Sequence, residues 1–161
     1  MARLQAALSN GWSLHSIGRR GVLTIPNVLI AHHDAYTRKL IEATLEGEGF
    51  EIRSVADGID ALARIRHAPF DLVVIAKDLP ELDGPTVVKA IGGLQRKDLP
   101  RIIMLGATAD ELAPEIARHV HASLGLPFRP IMLLVSATEL LSVQPVSELA
   151  RDSRSHLRVV T

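Results

Sequence analysis

Two adjacent histidines followed by an acid, His32-His33-Asp34, form the most inviting constellation in this chain, and the chemistry they offer is zinc ligation. Adjacent residues on an extended chain point to opposite sides, so at most one or two of the three could converge on an ion. His119 and His121 lie far along the sequence, and no third ligand is near. The trio therefore reads as solvated or capping side chains, with no metal site and no cofactor. Gly92-Gly93 is no phosphate cradle, because it comes late in a helix and not after a strand. With no cysteine in 161 residues, thiolate chemistry and disulfides are both absent.

The elements that must position these groups alternate between two periodicities. Val28 to Ala31 is a short continuous apolar run, as expected of a strand buried on both faces. Leu40, Ile41, Thr44 and Leu45 then recur at helical spacing, and Gly47 and Gly49 end the helix. The alternation repeats four times. Phe50 to Val55 is a strand, and Asp57-Gly58 opens a helix carrying Ile59, Leu62 and Ile65. Leu72 to Ala76 is the central strand, followed by a Pro80 turn and a helix with Val87, Val88, Ile91 and Leu94. Asp83 suits the N-cap of that helix, and Lys77 reads as a solvated residue. Arg101 to Leu105 is the fourth strand. A helix over 109–121 follows, kinked or delayed by Pro114. A short strand near 122–125 and a final helix from Pro130 to Leu141 close the series. Five strand–helix units in sequence predict an α/β fold, a doubly wound five-stranded parallel sheet with helices on both faces.

Residues 27–142 form this domain. Residues 1–26 read as an extension with a short helix over Ala2 to Leu8, and 143–161 as a flexible C-terminal tail. No helix-turn-helix, zinc spacing or internal repeat marks a second domain. A hydrophobic content of 47% supports a sizeable core, and an aromatic content of 3% makes that core aliphatic. Eighteen basic residues balance eighteen acidic ones, which argues against a general nucleic-acid or membrane-surface binder. No apolar stretch is long enough to span a membrane. Arg19-Arg20 resembles a twin-arginine signal, but Pro26 interrupts the apolar run and no small-residue cleavage site follows. A cytoplasmic location is the expectation.

In doubly wound sheets, ligands gather at the carboxyl ends of the strands. Those ends are Ala31-His32-His33-Asp34, Ala76-Lys77-Asp78, Gly106-Ala107-Thr108 and Gly125-Leu126-Pro127. The frame around them resembles the receiver domains of bacterial response regulators. The residues that carry the likeness are Val28-Leu29-Ile30, Ala56-Asp57-Gly58 with Ala61-Leu62, and Asp71-Leu72-Val73-Val74. Leu79-Pro80 with Leu82-Asp83-Gly84, Pro100, and Pro127-Phe128 complete it. The resemblance implies the flavodoxin-like, CheY-like (βα)5 three-layer sandwich.

It also implies five functional positions, and each has departed here. Two acids that hold magnesium are His32 and His33, and the phosphoryl acceptor aspartate is Ala76. The hydroxyl after the fourth strand is Gly106, and the lysine before the proline is Leu126. The switch aromatic is Ser123. Asp34 and Asp78 do not replace the lost groups, because Asp78 lies in the loop with its carboxylate turned away. The chain is thus expected to be no enzyme but a degenerate, stand-alone pseudo-receiver in two-component phosphorelay signalling. It would act by phosphorylation-independent protein–protein interaction. Its partner would be a histidine kinase, a scaffold or another regulator, with a homodimer as a further option. The alternative is a receiver-like sensor of a small molecule such as a cyclic dinucleotide. The final helix is more apolar than one buried stripe requires, and Met132 and Leu133 are expected on its outer face as an interface.

Overall fold

The computed structural model describes residues 25–141. The expected short helix over 2–8, the arginine pair and the tail over 143–161 lie outside the described residues.

The strands are β1 (Asn27–Ala31), β2 (Glu51–Val55), β3 (Leu72–Ala76), β4 (Arg101–Leu105) and β5 (Ala122–Leu124). They form one parallel sheet in the order β2-β1-β3-β4-β5. Interleaved with them are α1 (Ala35–Glu46), α2 (Gly58–His67), α3 (Gly84–Gly92) and the short α4 (Pro114–Ala117). A last helix, α5, occupies 130–141. Every residue of β3 is buried, because helices cover both faces of the sheet and side chains alternate between them. Leu29, Val73, Ile75, Ile102 and Met104 pack with Ala61, Ile65, Val87, Val88, Ile91 and Ile116 from α2, α3 and α4. Val28, Ile30, Leu72, Val74, Ile103 and Leu105 pack with Ile41 and Leu45 of α1 and Leu133 and Ala137 of α5. These are the three layers of the expected sandwich.

Three helices begin on an aspartate whose carboxylate accepts a backbone N–H. Asp34 accepts from Thr37, Asp57 from Asp60 and Asp83 from Thr86, at 2.8, 2.8 and 2.9 Å. These caps satisfy donors that the first helical turn leaves unpaired. The Thr37 and Thr86 bonds also hold the Asp34 and Asp83 carboxyls below the usual carboxylate range.

The helices differ from expectation mainly in phase. The region 109–121 is not one helix but a 3-10 turn (Ala109–Glu111) followed by a single turn at α4. Pro114 stands at the start of α4 because its missing N–H costs nothing there. On α2, Ala61 and Ile65 are buried, whereas Ile59 is 55% exposed.

The largest correction concerns Leu133. Expected on the outer face of α5, it is fully buried in the α1-side core with Ala137, one turn further on. Ile131, Met132 and Val135 are the exposed apolar residues of that helix. The reason is the small Ala137: it marks the face that can approach the sheet, whereas the bulky aliphatics are spread round the helix and do not reveal it.

Candidate functional site

The loops after β1, β3, β4 and β5 converge at the carboxyl edge of the sheet, and two constellations form there. In the first, the chain leaves β1 at His32, whose N–H donates to Val55 O of β2 at 3.2 Å. The His32 side chain is only 6% exposed. Its Nδ1 accepts the Asp34 N–H at 3.0 Å, so the neutral ring carries its proton on Nε2. His33 Nδ1 donates to Asp78 O at 3.2 Å, tying the β1–α1 loop to the β3–α3 loop. The two rings do not diverge as adjacent strand residues would. They stack, with centroids 5.0 Å apart and planes at 17°. Below them, Arg38 Nη1 donates to the carbonyls of His32 and His33 at 2.8 and 3.4 Å. His32 is thus a capping side chain in structure, though a buried rather than a solvated one.

Burial pushes the His32 imidazole below its ordinary value, and the neighbouring His33 pushes in the same direction, against a smaller opposing pull from Asp34. The unfolded chain therefore binds a proton at His32 more readily than the folded protein does. The resulting stability is complete above the ordinary value of 6.5 and is lost as pH falls below it toward the lowered folded value. Urea midpoints between pH 7.5 and 5 should decline for the wild type over that window. In His32→Asn, which can still accept the Asp34 N–H, the decline should be flatter. Identical curves would remove His32 from the account.

The second constellation lies around β3 and β4. Ala76, at the end of β3, is 5% exposed and stands beside Leu105 in register. Lys77 N–H donates to Leu105 O at 2.8 Å, and Gly106 N–H donates to Leu124 O at 2.8 Å, so the sheet is hydrogen-bonded to its last residue here. Gly106 has φ of 90°, a left-handed conformation that disfavours the hydroxyl residue expected at this position. Leu126 is 63% exposed, yet its Cδ1 lies 3.5 Å from the point where a Cβ on Gly106 would stand. Lys77 Cβ is 3.8 Å from the same point. An aliphatic side chain therefore lies beside Gly106 at this end of the sheet.

Asp78 contributes its carbonyl to His33, and its residue is exposed in the loop. Ser123 sits half-buried on β5 opposite Met104. Met132 is 46% exposed. Among the described residues, no three His, Cys, Asp or Glu side chains gather closely enough to hold a metal ion. No helix among them is long and apolar enough to cross a membrane. The stacking of His32 on His33 had no signal in the sequence, since it depends on where the chain bends out of the strand.

Known proteins carry the same frame. The family model described as the response regulator receiver domain matches residues 28–124. The transcriptional regulatory protein GltR of Pseudomonas aeruginosa is 33% identical over 117 residues, which are 71% of this chain and 48% of that protein. Sensor protein EvgS of Escherichia coli is 27% identical over 141 residues, 85% of this chain but 11% of EvgS. The chain thus spans about half the length of the first relative and a small part of the second. Among solved structures, the chemotaxis response regulator CheY4 of Vibrio cholerae superposes with a TM-score of 0.66 at 29% identity, over 73% of this chain and 99% of that one.

Proposed function

This chain belongs to the response regulator receiver family of two-component signalling, and within that family we propose that it is a pseudo-receiver, signalling through protein contacts without being phosphorylated. The observation that carries this reading is the acceptor position itself. Ala76 has no atom that can attack phosphorus, and it is buried at the end of a fully paired strand. The surrounding groups reinforce the point. Magnesium prefers oxygen ligands, but its two carboxylate positions carry imidazoles, and one ring nitrogen of each is already engaged. The magnesium of the family does not fit this donor set. Gly106 and Leu126 supply neither hydroxyl nor ammonium. On this reading the domain has no catalytic activity of its own.

Signal output then rests on a surface that is always presented. The exposed Ile131, Met132 and Val135 of α5 favour the face of α4, β5 and α5, where an apolar patch can meet a protein partner. That partner would be a histidine kinase, a scaffold or another regulator, and self-pairing through the same face is compatible with it.

The test is phosphorylation itself. Wild type and Ala76→Asp are incubated with acetyl phosphate and magnesium, and intact masses are measured. No adduct is expected on either, because Ala76→Asp restores a nucleophile without the metal, hydroxyl or lysine. A new carboxylate at this buried position should also cost about 2 kcal/mol of stability. A stoichiometric phospho-adduct on the wild type would overturn the reading.

A further inference from the structure

At the opposite, amino-terminal edge of the sheet lies a cleft of about 230 Å³ that none of the preceding functions uses. Its walls come from three places: the end of α3 at Ile91 and Gly92, the segment entering β4 from Lys97 to Ile102, and Arg118, His119 and His121 between α4 and β5. We infer that this cleft is a binding site for a small organic phosphomonoester.

The cleft is strongly basic. Lys97, Arg101 and Arg118 line the cleft together with His119 and His121, and no Asp or Glu is among the described residues that line it. The chain as a whole has a formal net charge of zero, so this is a local concentration and not a general basic character. The carboxylate nearest in sequence, Asp98, lies 3.6 Å from Arg96 Nε and is paired there. Of the cations lining the cleft, the exposed Lys97 and Arg118 suit a dianion in the concavity, because a low-dielectric wall strengthens each attraction.

The imidazoles are held in place. His121 Nδ1 accepts the Ile102 N–H at 3.0 Å, and the His121 N–H donates to Ile102 O at 2.9 Å. His119 Nε2 accepts from Arg118 Nε at 3.3 Å. The His119 ring also occupies the space that a side chain on Gly92 would need. With its Nε2 accepting, the neutral His119 ring bears its hydrogen on Nδ1 and is a hydrogen-bond donor there. Oxygen-rich anions accept such bonds.

In the remaining lining, Ile91, Leu99, Pro100 and Ile102 are apolar, so part of the wall favours a carbon body and not a hydrated inorganic ion. The volume corresponds to roughly seven or eight water molecules, enough for a phosphoryl group and a small ring. Nucleic acid is a poor fit, since its backbone is met by extended rows of six or more cations, not by three gathered in a cleft. A ligand here would tie the α4–β5 connection to α3 and β4. That would give the domain an input far from Ala76 and beside the proposed output face.

The experiment uses phenyl phosphate, inorganic phosphate and phenol at constant ionic strength, read by thermal shift and by backbone amide NMR. Phenyl phosphate at ten times its Kd should raise Tm by about 5 °C and move the amides of Gly92, Ile102 and His119. It should bind at least about fivefold more tightly than inorganic phosphate, through burial of the ring. The exposed pair Lys97→Ala with Arg118→Ala should weaken it at least about tenfold, with the Tm of the free protein unchanged. Arg64→Ala with Arg66→Ala, on α2 and outside the cleft lining, should not weaken it. The proposal is overturned if phenyl phosphate produces no shift, if phenol binds as tightly, if inorganic phosphate matches the ester, or if the Lys97/Arg118 variant binds like the wild type.

Discussion

Leu133→Glu is expected to unfold the protein, whereas Met132→Glu, one residue away, should leave it folded and disable its interface. Leu133 is fully buried in the aliphatic layer beneath α1 and α5, among Val28, Ile30, Leu72, Val74, Ile103 and Leu105. These neighbours in that layer are aliphatic, so a carboxylate there would be unpaired and must either take up a proton or expel the helix. The expected cost exceeds about 4 kcal/mol, most of what a domain of this size has to lose. Met132 is 46% exposed, and a glutamate there should change stability by less than about 0.5 kcal/mol. Circular dichroism melts separate the two outcomes directly. Light scattering and pull-down with Met132→Glu then test the interface without the confusion of unfolding. If Met132→Glu keeps both the oligomeric state and the bound proteins of the wild type, the α5 face is not the working surface.

Gly84→Ala should be nearly as damaging, for a reason that involves no exposed surface and no chemistry. Gly84 begins α3, and its N–H donates to Lys77 O at 2.9 Å. That bond draws the helix start so close to the end of β3 that an added Cβ would collide with the carbonyl oxygen of Ala76. It would also lie 3.0 Å from both the Ala76 carbonyl carbon and Lys77 Cα. These are backbone atoms of a strand hydrogen-bonded on both sides, so they cannot turn aside as a flexible side chain could. One methyl group should then cost about 3 kcal/mol and lower Tm by roughly 15 °C. A thermal melt unchanged within a few degrees would mean that the β3–α3 junction yields more easily than its packing implies. The glycine at this junction thus serves packing.

The linear chain was sufficient for the architecture. Runs such as Val28 to Ala31 and Leu72 to Ala76 have no polar residue and are short, as strands covered on both faces are, and the chain between successive runs leaves room for a helix. The capping aspartate at 83 was equally legible, because a cap is a bond between residues three apart. The residues at positions 32, 33, 76, 106 and 126 are plain identities, and it is the resemblance that implies they are departures.

The tertiary structure decided whatever depends on how an element is turned or on which distant segments meet. On α5, aliphatic residues lie all round the helix, so periodicity could not choose its buried face; packing against the sheet chose Leu133 and Ala137. The stacking of His32 on His33 depends on where β1 ends, not on the pair being adjacent. The basic cleft is the extreme case. Lys97 and Arg101 come from the segment entering β4 and Arg118, His119 and His121 from the α4–β5 connection, and only the parallel pairing of β4 with β5 brings both to one edge. No local pattern encodes such a meeting, because its partners are joined by the sheet and not by the chain.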